Sequence, residues 1–266
     1  MNNFKLGILG VGKMGGSILE GILRSNIYKP SEICIFDVNQ EINNKYQNIG
    51  LTVLENEYEL VKQSDMVLLA IKPQMFSCLT KYTFDLQDKV IISIVAGKTL
   101  KDLENIFGKQ QFIRVMPNTP SLINCGATAI SKTDNINEEV FQKVKSIFES
   151  IGVVSLIDDN LMNEVIPLNG SMPAYLYYFA KGFIENGVSK GIDYETAKLL
   201  CCHAIIGSAK MILETNKPID ELIKDVCSPK GATLEGIKVL DDNNVNKIIN
   251  DTCDACIKRA YELSNL

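Results

Sequence analysis

The first half of the chain alternates short apolar runs with stretches in which apolar residues recur at helical spacing. Val140, Val144 and Ile147, for example, form one apolar stripe on an otherwise charged segment. Short β-rich runs separated by amphipathic helices are typical of parallel strands joined by crossover helices. We therefore predict a doubly wound parallel sheet of the α/β class over residues 1–158. The predicted strands cover residues 5–9, 33–36, 66–70, 90–95, 112–115, 127–131 and 153–157.

The second half has a different pattern, because β-branched runs give way to long helical segments. Predicted helices cover residues 161–189, 193–215 and 218–226, and two more begin from residue 233 onward. Residues 159–266 are therefore expected to form an all-helical domain. Residues 204–209 are apolar or small at almost every position, and a helix that is apolar on most sides must be covered on most sides. A second copy of the chain would supply that cover, so we expect a homodimer through the helical domain.

Composition narrows the function classes. Of the 266 residues, 46% are apolar and 22% are charged, which is ordinary for a soluble protein, and the net charge of -5 disfavours nucleic acid as a partner. We expect that no apolar stretch reaches the length of a membrane span, and the chain start lacks the pattern of a secretory signal. We therefore expect a cytoplasmic protein with reduced cysteines, no metal and a small-molecule substrate.

Three glycines follow the first predicted strand and precede a helical stretch. A buried strand, a tight turn and a helix N-terminus with unpaired N–H groups together bind the pyrophosphate of a dinucleotide. This arrangement predicts a Rossmann-type domain that binds a nicotinamide cofactor. Asp37 ends the second apolar run, where a carboxylate would accept hydrogen bonds from the adenosine ribose, and its charge favours NADH over NADPH. The predicted cofactor contacts at the turn are Gly10, Gly12, Lys13, Met14 and Gly15.

Three further loops follow predicted strands, and ligands of such sheets lie off the carboxyl ends of the strands. One loop holds Ala70, Lys72 and Pro73; Lys72 is either a phosphate contact or a solvated lysine. Asn118 lies in a second loop, which two prolines stiffen, and this rigidity favours a positioning role. The third loop, Ala96-Gly97, permits close approach of the backbone.

Conventional acid and base groups are scarce. The single histidine, His203, lies in mid-helix with no carboxylate beside it in the pattern, which favours a structural role. Oxidation of an alcohol usually needs a base to take the hydroxyl proton, whereas a protonated imine is already electrophilic. The sequence therefore favours reduction of an imine. In the second half, residues 228–233 break the helical pattern before another helix begins, and free N–H groups there, with Thr233 and Lys230, would suit a carboxylate. From these residues alone an ordinary capped helix start is slightly favoured.

Five segments resemble pyrroline-5-carboxylate reductases, in the order expected of that family. They are the glycine turn at 10–15, Ala-Ile-Lys-Pro at 70–73, Arg-Val-Met-Pro-Asn-Thr-Pro at 114–120, Gly-Ser with Pro-Ala-Tyr at 170–175, and Ser-Pro-Lys-Gly-Ala-Thr at 228–233. The last segment is the most specific, since it is close to the family's signature. The resemblance covers nearly the whole chain.

This resemblance implies NAD(P)H-dependent reduction of 1-pyrroline-5-carboxylate to L-proline, the last step of proline synthesis, in a dimer or a ring of dimers. It also implies that Asn56 contacts the adenosine part of the cofactor. Thr233 is the residue suspected of helping to protonate the ring nitrogen; because a hydroxyl is a poor acid at neutral pH, we expect it to orient the iminium or relay a proton from water. The substrate-binding residues implied are Asn118, Ser171, Lys230, Gly231, Ala232 and Thr233, and the cofactor path adds Ala70, Lys72, Pro73, Ala96 and Gly97.

Two positions depart from the family pattern, which usually has glycine where Met172 and Lys230 stand. We expect Lys230 to strengthen anion binding without changing the reaction. The departures also leave open a catalytically silent paralogue that binds NAD(P) and regulates. A 3-hydroxy-acid dehydrogenase is a further alternative, but those enzymes resemble one another in a lysine shortly after the glycine turn of the helical half, and here the first lysine after Gly170 is Lys181.

Overall fold

The apolar runs of the first half form the strands of one sheet. The computed structural model describes residues 4–264 except 83, 85, 87 and 88. Within this part of the chain the eight strands are β1 (Phe4–Leu9), β2 (Ile33–Phe36), β3 (Thr52–Val53), β4 (Ser64–Leu69), β5 (Val90–Ser93), β6 (Gln111–Met116), β7 (Gly126–Lys132) and β8 (Gly152–Leu156). All seven predicted strands are confirmed with slightly different ends. The prediction missed β3, because two residues are too short to show a period.

The sheet has the order β3-β2-β1-β4-β5-β6-β7-β8 and is parallel from β3 to β6. The predicted doubly wound parallel sheet is confirmed, but its last two strands run opposite to the other six. β7 runs antiparallel to β6, and β8 is parallel to β7. The connection between Met116 and Gly126 is too short for the crossover helix that a parallel neighbour needs, so the chain reverses direction.

Helices cover both faces of this sheet. They are α1 (Lys13–Arg24), α2 (Gln40–Gln47), α3 (Glu57–Gln63), α4 (Leu100–Phe107) and α5 (Glu138–Glu149). Successive side chains of a strand point to opposite faces, so Ile8 packs in one core with Phe148, whereas Leu9 packs in the other with Phe112. Burial on both faces explains why the central strands are apolar at nearly every position.

Up to residue 264, where the described part of the chain ends, the second half forms five helices: α6 (Met172–Ser189), α7 (Tyr194–Glu214), α8 (Ile219–Val226), α9 (Ala232–Asp242) and α10 (Val245–Ser264). The all-helical prediction is confirmed, but the first helix does not begin near residue 161. Two short 3-10 turns, Asp159–Leu161 and Ile166–Leu168, precede it. Pro167 and Gly170 interrupt the helical pattern here, because proline lacks an N–H donor and glycine favours turns.

The chain folds into two compact units. The first unit contains the residues up to Pro173 together with those from Ile257 onward, and the second contains Ala174–Cys256. The predicted boundary at 158–159 lies before the two 3-10 turns. The end of α10 belongs to the first unit, where the Tyr261 hydroxyl donates a hydrogen bond of 2.5 Å to Glu164.

Helix α7 exposes apolar side chains along its length. Leu213, for example, is 80% exposed in the single chain. By length and composition α7 is able to cross a membrane, the one such helix among the described residues, so the expectation that no stretch reaches that length is wrong. Large apolar side chains are also exposed on the other helices of the second unit, among them Phe183, Val226 and Val239. Exposed apolar surface of this extent indicates an interface.

Candidate functional site

The chain from the end of β1 into the first turn of α1 can be built only with glycine at two positions. Gly10 has φ +90°, and a Cβ there would lie 2.7 Å from the carbonyl oxygen of Ala70. A Cβ on Gly15 would overlap the carbonyl oxygen of Gly10. Gly12 differs, since a Cβ there would meet no atom within 4 Å. The first and third glycines therefore serve packing, whereas the middle one leaves open space in front of the backbone.

Helix α1 points its N-terminus into that space. Gly12 is its N-cap, there is no side-chain cap, and the first turn has no acidic residue. The first backbone bond of the helix runs from the Gly16 N–H to the Gly12 carbonyl at 2.7 Å, so the N–H groups of Lys13, Met14 and Gly15 have no partner within the helix. Unpaired N–H groups and the positive end of the helix dipole together favour an anion.

Asp37 lies directly after β2 and is fastened to the glycine turn. Its Oδ2 accepts a hydrogen bond of 2.7 Å from the Val11 N–H, and its Oδ1 accepts one of 2.9 Å from the Asn39 N–H. Asn43 bonds to both the N–H and the carbonyl of Asp37, at 3.0 and 2.8 Å. The carboxylate is therefore held at a fixed position, and each oxygen keeps a further lone pair for a ligand hydroxyl.

A cavity of about 670 Å³ lies in front of these groups at the carboxyl ends of β1, β2 and β4. Its volume is in the range of small-molecule and cofactor sites. Eight predicted cofactor residues line it: Gly10, Gly12, Lys13, Met14, Gly15, Asp37, Ala70 and Lys72. Sequence reasoning missed other lining residues, among them Met75, Glu57 and Lys81.

Four predicted cofactor residues do not line this cavity. Asn56 is the N-cap of α3, where its side chain accepts a hydrogen bond of 2.9 Å from the Glu59 N–H. Pro73 begins the 3-10 helix Pro73–Lys81. Ala96 and Gly97 form the turn after β5, and Gly97 has φ +73°. Their roles toward a cofactor stay predictions.

Glu57 and Lys81 form an ion pair of 2.8 Å in the wall of the cavity. Burial alone would raise the pKa of Glu57, but hydrogen bonds from Lys81 and from its own backbone outweigh that effect and lower it. The hydrogen bond to Glu57 raises the pKa of Lys81. Both groups are therefore charged near neutral pH.

Asn118 and Asn169 connect two loops near the carboxyl end of β6. The Asn118 side chain accepts a hydrogen bond of 2.9 Å from the Ala127 N–H and donates one of 3.4 Å to the Asn169 carbonyl. Asn169 in turn donates from Nδ2 to the Met116 carbonyl at 2.7 Å. Asn118 is buried, and its amide is used within the protein rather than offered to a ligand. Its predicted substrate contact thus depends on its backbone or on a rearrangement.

The Asn169 Oδ1 is buried and finds no donor among the described residues. Ser171, two positions on, donates its N–H to the Ile166 carbonyl at 2.9 Å. Both residues belong to the turn that leads into α6, immediately before Met172. This turn is therefore held to the sheet by main-chain and amide hydrogen bonds.

The predicted carboxylate site lies in the second unit, at the start of α9. Gly231 is the N-cap, and Ala232 and Thr233 are the first two helical residues. A Cβ on Gly231 would lie 2.9 Å from the Ser228 carbonyl oxygen, a backbone contact that favours glycine here. Lys230 has φ +62°, a conformation that lysine rarely adopts. This conformation explains why pyrroline-5-carboxylate reductases, which the sequence resembles, usually have glycine at this position.

The first unit fits a dinucleotide on three independent grounds. Its glycine turn leaves space for a pyrophosphate at free N–H groups, its β2 ends in a fixed carboxylate, and both line one cavity. His203 lies in mid-α7 and is exposed in the single chain, with no role in this cavity. Among the described residues no group of three or more His, Cys, Asp or Glu side chains could hold a metal ion.

Comparison with known proteins covers both units. The family model for pyrroline-5-carboxylate reductase dimerisation matches residues 159–263, and that for NADP oxidoreductases, coenzyme F420-dependent, matches residues 5–97. Among solved structures, pyrroline carboxylate reductase of Plasmodium falciparum with NADP bound is similar with a TM-score of 0.88 and 28% identity, over 99% of each chain.

Two curated relatives extend this similarity along the whole sequence. Pyrroline-5-carboxylate reductase of Arabidopsis thaliana is 33% identical over 98% of this chain and 96% of its own length. The enzyme of that name from Escherichia coli K12 is 31% identical over 98% of each chain. The chain therefore belongs to the pyrroline-5-carboxylate reductase family.

Proposed function

We propose that this protein is an oxidoreductase that reduces the cyclic imine 1-pyrroline-5-carboxylate to L-proline with NAD(P)H. The observation that carries the proposal is the cavity in which the glycine turn, the free N–H groups of α1 and Asp37 meet, in a chain that matches its family along its full length. The presence of a single histidine, which does not line the cavity, agrees with this reaction, since a protonated imine needs a hydride more than it needs a base.

When bound in this cavity, NAD(P)H would supply the hydride for the imine carbon, and a proton would complete the amine. The residues of this chain would bind and orient the coenzyme and the substrate. The N–H groups of Lys13, Met14 and Gly15 hold the pyrophosphate, and Asp37 holds the adenosine ribose. At the substrate, the N–H groups at the start of α9 bind the carboxylate, and Thr233 orients the iminium nitrogen or relays a proton from water.

Further substrate contacts follow from the same reasoning. Lys230 adds a positive charge beside the carboxylate, and Gly231 and Ala232 offer N–H groups at the N-terminus of α9. Ser171 and Asn118 belong to loops near the carboxyl end of β6, where the nicotinamide end of a dinucleotide is expected. The fixed turn around them supports a positioning role.

NADH is the proposed electron donor, although a relative binds NADP. Asp37 carries a negative charge where a 2′-phosphate would lie, and no arginine follows it in residues 38–40. The ratio of kcat/KM for NADH to that for NADPH tests this proposal. A clear preference for NADPH would contradict it.

The exposed apolar faces of α6 to α10 support a homodimer formed through the second unit, as the dimerisation family suggests. In a dimer or a ring of dimers, a second copy of the chain would bury the exposed apolar side chains of α7, so no membrane is needed to cover them. Such an assembly suits a cytoplasmic enzyme. Light scattering of the purified protein distinguishes these assemblies by mass. A stable monomer in detergent-free buffer would remove the proposal.

One assay separates this function from its alternatives. Nicotinamide absorbance is followed with 1-pyrroline-5-carboxylate, with L-proline in reverse at high pH, and with a panel of 3-hydroxy acids. We expect turnover with the first two substrates only. Binding of NAD(P)H without turnover of any substrate would favour a silent regulatory paralogue, and turnover of a hydroxy acid would favour the dehydrogenase. Nothing in the comparisons favours either alternative.

A further inference from the structure

The Glu57–Lys81 ion pair lies at the adenosine end of the cavity. β3 pairs with β2, and the Leu54 N–H donates to the Ile35 carbonyl at 3.0 Å. The chain leaving β3 thus reaches Glu57, the first residue of α3, beside the carboxyl end of β2. Asp37 follows the same end of β2, and both side chains line the cavity. The ion pair and the carboxylate proposed to bind the ribose therefore line the same cavity, both near the carboxyl end of β2.

The two members of the pair differ in exposure. The Glu57 side chain is 11% exposed, whereas that of Lys81 is 55% exposed. The Lys81 Nζ also lies 4.7 Å from the centroid of the Tyr82 ring, so an aromatic face and a carboxylate both hold the ammonium. Glu57 is the fixed member, and Lys81 is the member that solvent and ligands can reach.

We propose that Glu57 sets the coenzyme preference by holding Lys81 away from a 2′-phosphate. The proposal deepens the reductase function proposed above and rests on it. Opposite charges 2.8 Å apart largely cancel at the distance of a ligand, so the adenosine end presents the negative charge of Asp37 with no free cation from this pair. An unphosphorylated ribose fits that field, and a phosphorylated one meets repulsion.

The 2′-phosphate is the group that distinguishes the two coenzymes, and its chemistry explains how this ion pair could determine specificity rather than only stabilise the fold. A 2′-phosphate carries negative charge and strong acceptor oxygens, and lysine is a common partner for such a group. A neutral residue at position 57 would leave the Lys81 ammonium available to it. One charge-assisted hydrogen bond of this kind corresponds to about a tenfold gain in affinity, or about 1.4 kcal/mol.

Two variants with opposite expected effects test the proposal. Glu57→Gln keeps the shape of the side chain and removes its charge, whereas Lys81→Met removes the cation and leaves Glu57 unpaired. Glu59→Gln is the matched control, because Glu59 also lies on α3 and pairs with Lys62 at 3.7 Å but does not line the cavity. Calorimetry measures binding of 5′-AMP and of adenosine 2′,5′-bisphosphate to each full-length protein.

The readout is the ratio of the two dissociation constants, which needs no catalytic turnover. We expect Glu57→Gln to shift the ratio about tenfold toward the bisphosphate, Lys81→Met to shift it away, and Glu59→Gln to leave it unchanged. An unchanged ratio in Lys81→Met, or a shift of Glu57→Gln away from the bisphosphate, would overturn the proposal. Should the wild-type protein bind neither nucleotide, the proposed reductase function would fail instead.

Discussion

The middle glycine of the turn offers the sharpest test of the cofactor site, because its substitution separates folding from binding. A Cβ at Gly12 meets no protein atom within 4 Å, and its φ of -67° suits any residue. Gly12→Ala therefore creates no clash. Alanine is a poorer N-cap than glycine by about 0.5–1 kcal/mol, but it also reduces the entropy of the unfolded chain by about 0.4–1 kcal/mol. The two effects nearly cancel.

Binding of the cofactor should respond differently. The added methyl group occupies the space through which a pyrophosphate approaches the free N–H groups of α1. Loss of one or two charge-assisted hydrogen bonds, about 1.5–3 kcal/mol, corresponds to binding about ten- to a hundredfold weaker. We expect the dissociation constant of NADH to rise by this factor while the thermal midpoint changes little. Fluorescence titration and thermal unfolding measure the two quantities.

Gly15→Ala provides the contrast. Its Cβ would overlap the Gly10 carbonyl oxygen, so this variant should lose both stability and binding. If Gly12→Ala bound NADH with wild-type affinity, the pyrophosphate could not lie against this turn, and the assignment of the cavity would be refuted. A large drop in the thermal midpoint of Gly12→Ala would show that the space before the turn is not open.

Three further variants test the remaining parts of the structure. Lys230→Gly relieves a strained φ but raises the conformational entropy of the unfolded chain. Each effect is about 1 kcal/mol, so the free energy of unfolding should change little, while the KM for 1-pyrroline-5-carboxylate should rise. An unchanged KM would count against an anion-binding role. Arg114→Met removes the buried guanidinium that contacts the partly exposed Asp159 at 3.1 Å, and it should lower the free energy of unfolding in urea titration by about 1.5–3 kcal/mol. No loss would show that the pair contributes nothing. Asn169→Ala removes the donor to the Met116 carbonyl and should cost about 1 kcal/mol in the same titration, and a stabilised variant would contradict the connection between the two loops.

Local patterns explain which parts of the fold could be predicted. β1, β2, β4 and β5 are apolar runs with clear ends, and their periodicity is a property of consecutive residues. The glycine turn is equally local, because strand, turn and helix follow one another directly. Asp193, the N-cap of α7, likewise marks a helix start through a side chain that bonds the Thr196 N–H three positions on.

Features that depend on distant residues could not be predicted in this way. The partners Asn169 and Met116 are 53 positions apart, and no period connects them. Lys81 reaches Glu57 only because a 3-10 helix follows β4 and ends beside the start of α3. Two prolines drew attention to the loop of Asn118, but its side chain accepts a hydrogen bond from the Ala127 N–H within the protein, a contact that no local pattern predicts. Tertiary hydrogen bonds decide such cases.

The hydrogen bond from the Val11 N–H to Asp37 has a consequence for how this enzyme could evolve. This carboxylate holds the main chain before α1, and in the proposed binding mode it would also contact the ribose of the nucleotide. Replacement of Asp37 by a small neutral residue, which would make room for NADPH, would also leave the Val11 N–H without its acceptor. A change of coenzyme preference would then need a second mutation that supplies a new acceptor for this N–H. The variant with only the first mutation would be less stable than either end point.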